Sequence, residues 1–133
     1  MVRLNLDGHS TNFMVGMTNL DGAFSQARTV SGDKTTTANA PAAYPQWIKV
    51  VRVGAAISGY MSPDGTTWTQ VGPTVTMPNW PDGVLIGLAV ASNGLDLATG
   101  TFDNVTLTQG TPDATGAAPT PTTPATPTTP GTH

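Results

Sequence analysis

Between Trp47 and Val71 apolar and polar residues alternate in short runs, and Gly or Asp-Gly separates one run from the next. Alternation with a period of two, punctuated in this way, is the signature of β-hairpins. Gly54-Ala55 fits the two-residue loop of a type II′ turn, in which Gly supplies the positive φ of the first central position. That loop sets Val50 opposite Gly59, Ile48 opposite Met61 and Arg52 opposite Ile57, six residues on one largely apolar face directed at a core. The other face carries Trp47, Lys49, Val51, Ser58, Tyr60 and Ser62, so rings, a cation and hydroxyls share one surface.

The same reading extends along the chain. Residues 1–6 alternate with Val2, Leu4 and Leu6 on one side, and residues 12–19 place Phe13, Val15 and Met17 inward. Asp7-Gly8 and Asp21-Gly22 close these strands. In 23–30, Phe24, Gln26 and Arg28 share one face, and the small residues Ala23, Ser25 and Ala27 share the other. Residues 31–46 are rich in Gly, Thr, Ala and Pro and read as a loop with a short extended piece at 34–37. After the central hairpin comes a short strand at 74–77, then a loop from Pro78 to Gly83 that exposes Trp80. Residues 84–91 are apolar on both faces, which predicts a central strand covered on each side. Asn93-Gly94 turns the chain, and 101–107 is the expected closing strand.

From Gly110 the sequence is Thr, Pro, Ala and Gly with Asp113 as the single charged side chain, too little apolar area to offset the entropy of ordering. The expected organisation is a β-sandwich domain over 1–109 and a disordered Thr/Pro-rich spacer over 110–133. The fold class is all-β, an antiparallel sandwich or jelly roll.

Composition sharpens this picture. The 133 residues include no Glu, and the basic residues are only Arg3, Arg28, Lys34, Lys49 and Arg52. Exposed helices draw heavily on Glu and Lys, so sheet and turn are favoured. A net charge of −3 offers no footprint for nucleic acid or an anionic membrane. With no Cys, a disulfide framework, a thiolate metal site and a Cys nucleophile are excluded. No apolar run reaches the length of a membrane span, and residues 1–10 lack the regions of a signal peptide, so the chain is expected to be soluble without an export address.

The central block resembles the concanavalin A-like jelly-roll modules of multidomain secreted bacterial proteins, the regulation-of-enolase-like group among them. The matching residues are the run 47–52, Gly59-Tyr60, Ser62, Asp64-Gly65, 68–72, 86–90 and Thr101-Phe102-Asp103-Asn104-Val105. The resemblance implies a two-sheet sandwich with a concave face and a role in carbohydrate binding or adhesion, at an extracellular or cell-surface location. It also implies strands preceding Met1, so the jelly roll is expected to be partial, with a sheet edge left open near residues 2–6. Glucanases of this fold use paired Glu, which this chain does not have.

Candidate chemistry follows from residue type. Half of the eight Asp residues sit in Asp-Gly turns, where they cap backbone amides, so no catalytic pair is assigned. His9 and His133 provide no triad. The segment 62–68 looks like a one-residue-short Asp-box, but turn formation by Asp64-Gly65 with Trp68 anchored in the core accounts for it. Cofactors are not expected; oxygen ligands at Asp82, Asn93, Asp96 or Asp103 would suit calcium, although no spacing enforces it. Sugar binding needs a flat ring and nearby polar groups, and Trp47, Lys49, Tyr60, Arg28 and Gln26 could supply them, with Trp80 as a separate loop candidate. The expected function is a non-catalytic, lectin-like module that binds carbohydrate. The alternative is a structural or adhesion module that contacts a protein by strand addition at an open edge.

Overall fold

The computed structural model describes residues 1–92 and 94–110. It divides into two compact units, one spanning Met1–Ala89 and one beginning at Val90. Asn93 of the expected Asn93-Gly94 turn and residues 111–133 of the expected spacer lie outside the described residues.

The first unit is all-β. Its strands are β1 (Val2–Arg3), β2 (Asn12–Thr18), β3 (Gly22–Arg28), β4 (Thr36–Ala40), β5 (Trp47–Val53), β6 (Ala56–Ser62), β7 (Thr69–Gln70), β8 (Val75–Thr76) and β9 (Leu85–Ile86). They form two antiparallel sheets. One runs β4-β3-β2-β1-β9; in the other β5, β6 and β7 are neighbours and β8 also pairs with β6. β1 to β4 and β5 to β7 pair in sequence order as meanders, β8 pairs back on β6, and β9 returns late to lie beside β1.

The central hairpin has the register read from the sequence: Val50 faces Gly59, Ile48 faces Met61 and Arg52 faces Ile57. Gly54 takes φ of 58° at the turn. Where the sheets meet, Gly59 is a point of close approach, since a Cβ there would stand 3.1 Å from Val15 Cβ and 3.4 Å from the Phe13 ring. Phe13 and Val15 are buried against it, and Ala23 and Ala27 on β3 are buried as well. Small residues on β3 let a bulky residue on β2 fill the layer, which is how a thin sandwich reaches interior packing density. Ile57, Val71 and Met77 complete the buried set from the second sheet and its connections.

Four expectations are corrected. The strand over residues 1–6 is only Val2–Arg3, because the chain bends into the Asp7 turn: the Asp7 carboxylate accepts from His9 N–H at 2.7 Å, and Leu6 is left exposed. Residues 84–91 form the two-residue edge strand β9 instead of a covered central strand. β1 is paired on both sides, with β2 and β9, so the open edge is not at residues 2–6 but at β9. Residues 101–107 form no strand, and Val105 and Leu107 are exposed.

The close approach over Gly59 makes a direct prediction. Gly59→Val should lower stability by about 1–3 kcal/mol, because Val15 and Phe13 are held by their own sheet and cannot yield. Gly83→Ala, with nothing within 4 Å of the added methyl, should stay within about 0.5 kcal/mol of wild type. Urea unfolding of the two variants side by side measures both.

Candidate functional site

Strand alternation puts Trp47, Lys49 and Tyr60 on the outer face of the second sheet, with Lys49 directly across from Tyr60. The Lys49 ammonium lies 5.1 Å from the centre of the Tyr60 ring and 4.0 Å from that of Trp68. Both distances are within cation–π range. Loss of hydration among the rings lowers the Lys49 pKa from the ordinary lysine value, and the electron-rich ring faces offset part of that cost. Trp47 packs on the backbone of the next turn: a Cβ on Gly65 would stand 3.0 Å from its indole.

Trp68 is the member of this group that the sequence reading assigned to the core. The β6–β7 pairing of Met61 with Thr69 puts the preceding Trp68 level with Ser62, on the outward side, where it lies half-buried against Lys49. Carrying the central register through the Asp64-Gly65 turn would have found it.

That turn is a local scaffold for the face. Asp64 Oδ1 accepts from the backbone N–H groups of Thr67 and Thr66 and from the Ser62 hydroxyl, each at 2.8 Å. These donors hold its carboxyl well below the usual carboxylate range. Ser62, fully buried, also accepts from Gly65 N–H at 2.9 Å. The Asp-box-like segment thus does what its turn chemistry predicts.

The remaining candidates lie elsewhere. Gln26 and Arg28 project from β3, in the other sheet, on the face opposite the buried Ala23, Ser25 and Ala27. Gln26 donates to Thr37 Oγ1 at 3.1 Å, and Arg28 donates to Gly8 O at 2.7 Å and Thr35 Oγ1 at 3.3 Å. Gln26 links β3 to β4, Arg28 ties loop residues to the first sheet, and neither joins Trp47, Lys49 and Tyr60. Trp80 is not displayed by its loop; it is 9% exposed and belongs to the core. Its Nε1–H donates to Thr11 Oγ1 at 2.8 Å, and the Arg52 guanidinium stands 5.6 Å from its ring.

Among the described residues no three His, Asp or Glu side chains converge as metal ligands, Asp82, Asp96 and Asp103 included. No helix among them is long and apolar enough to cross a membrane.

A second exposed feature lies at the edge of the first sheet. Met1, Arg3, Leu6, Leu85, Ile86, Gly87 and Leu88 line a shallow groove beside β9. Ile86 pairs with the buried Val2 and so points to the core side of the sheet, yet it is 58% exposed. Val84, two residues earlier and on the same side, packs on the core. The inner layer therefore continues beyond the residues that cover it.

Comparison with protein-family models, with curated proteins and with solved structures finds no match to this chain.

Two measurements check the outer face. Replacing Lys49 by Gln should cost about 0.5–1 kcal/mol and shift tryptophan emission, since the ammonium leaves the Trp68 ring. Asp64→Ala should lower the melting temperature at neutral pH. The carboxyl's folded pKa is depressed, so its contribution is complete above the ordinary carboxylate range and is lost as pH falls toward the folded value. The gap between the two proteins should therefore close in strong acid.

Proposed function

We propose that the Met1–Ala89 unit is a non-catalytic binding module of adhesion type that takes up an extended protein segment as an added strand along β9. The observation that carries this is Ile86, an apolar residue on the core side of an outermost strand with most of its surface in water. Leu85, Leu88 and Leu6 are exposed around it.

The backbone supports the same reading. Gly87 and Met1 exchange hydrogen bonds at 3.0 Å in both directions, so in this antiparallel ladder the N–H and C=O of Ile86 face away from β1. They meet no strand among the described residues. The other sheet edges are better protected. β5 carries Lys49 and Arg52, β4 is followed by Pro41, and Gly72-Pro73 interrupts the edge formed by β7 and β8. Charge and proline are usual guards against edge pairing, and from Gly83 to Leu95 there is neither a charged residue nor a proline. Strand addition draws affinity from main-chain bonds and specificity from alternate side-chain pockets, which the groove beside β9 would provide.

Carbohydrate binding is the second reading, favoured by the meeting of Trp47, Tyr60 and Trp68 on one outer face. Lys49 already occupies faces of Tyr60 and Trp68, and Gly65 one face of Trp47, which leaves less ring surface for a sugar. The concanavalin A-like identity belongs with this reading. Its support is the resemblance of the central block and the spatial order β9-β1-β2-β3, in which a late strand returns beside the first as in a Greek key. An extracellular or cell-surface setting goes with either reading.

Peptide display against the wild-type domain, counter-selected on Ile86→Pro, decides between them. Strand addition predicts enrichment of extended, β-branched peptides that lose binding to Ile86→Pro and keep it to a Trp47→Ala, Tyr60→Ala double variant. The saccharide reading predicts hits on a glycan array that disappear in the double variant and persist in Ile86→Pro.

A further inference from the structure

We propose that the strand added to β9 is β9 of a second copy of this chain, in a two-fold dimer whose axis passes beside Ile86. This rests on the edge reading above and names its partner.

The argument begins with which groups face outward. Ile86 directs its N–H and C=O away from β1, because its neighbour Gly87 spends both on Met1. In an antiparallel pair about a two-fold axis, one residue must oppose itself, and it exchanges two hydrogen bonds with its copy only if both its groups face outward. Ile86 meets that condition and Leu85, paired inward with Arg3, does not. The axis at Ile86 then sets Leu85 opposite Gly87 of the other copy and Val84 opposite Leu88. Each pairing is apolar, and the bulky Leu85 falls across from a residue with no side chain. With Val84 and Leu88 continuing the alternation, about six backbone hydrogen bonds join the copies.

Side chains agree with the backbone. Ile86 of one copy would stand against Ile86 of the other on the core side, so each β-branched side chain shields its equivalent, the kind of cross-strand pair that stabilises sheets. No charge is brought onto a like charge along the contact, since the segment from Gly83 to Leu95 carries none. The five-stranded sheets would become one continuous sheet of ten, and the unprotected edge would disappear into it. A heterologous partner would have to supply a matching apolar strand; a second copy already has one.

The absence of Cys gives a register-specific test. In a hydrogen-bonded antiparallel pair the facing Cα atoms lie about 5.5 Å apart, within disulfide range. Under mild oxidation Ile86→Cys should therefore form a covalent dimer of the native protein and none in denaturant. Leu20→Cys, at a still more exposed apolar site in the β2–β3 turn, should stay monomeric. Sedimentation velocity across the micromolar range should show concentration-dependent dimers of the wild type. Ile86→Lys, which sets like charges face to face, should weaken them by about tenfold or more. Near-UV circular dichroism confirms that this variant keeps its packing.

If the wild type is monomeric throughout but still binds a synthetic peptide of residues 83–90, and Ile86→Lys abolishes that binding, the second copy is overturned and strand addition stands. A monomer that also ignores the peptide overturns both. A dimer that survives Ile86→Lys, or that is lost equally in Leu20→Lys, overturns the β9 interface.

Discussion

The close contact of two sheets across Gly59 is the constraint on which the rest of the first unit depends. Val15 and Phe13 reach the second sheet because residue 59 has no side chain, and Ala23, Ser25 and Ala27 keep the neighbouring strand thin. Gly59 in turn faces inward only because the chain reverses at Gly54-Ala55 and not one residue to either side. A slip of one position would move every side chain of β5 and β6 to the other face, bringing Lys49 and Tyr60 into the apolar layer and Ile57 into water. One glycine thus sets the spacing and another the register.

What could be read from the sequence follows this distinction between local and distant causes. The hairpin register, the inward set Phe13, Val15 and Met17, and the small face of β3 were legible because alternation and turn chemistry act over a few residues. Trp80 was not. Flanking prolines mark a loop, but the indole is buried by a partner at Thr11, far along the chain, and no local pattern encodes that pairing. Gln26 and Arg28 were given the correct face of their strand, yet membership of one sheet or the other depends on long-range pairing, and they stand apart from Trp47. Residues 84–91 mislead for a related reason. An uninterrupted apolar run states that both faces avoid water without stating what covers them, and here the described residues cover only Val84 well. The candidate outer face was legible except for one member: Trp47, Lys49 and Tyr60 came from one hairpin, and the fourth, Trp68, required the register to be carried through a further turn.

The two exposed features differ in how far the protein satisfies them by itself. On the outer face of the second sheet Lys49, Tyr60, Trp68 and Trp47 are already in contact with one another or with Gly65, and the Asp64 turn beneath them has its donors and acceptors matched. At β9 the backbone and side chains of Ile86 have no such internal solution among the described residues. Unmet hydrogen-bonding capacity next to uncovered hydrocarbon is the combination from which association gains most, and for that reason the edge carries the functional reading.

The late return of β9 to β1 also orders events in time. The bond between Met1 N and Gly87 O spans 86 positions, so β1 completes its pairing only once the residues of both meanders have been synthesised. Closing a loop of that length is slow relative to hairpin formation. Until then the nascent polypeptide presents the flank of β1 that β9 will later occupy, an open edge for as long as β9 is unmade.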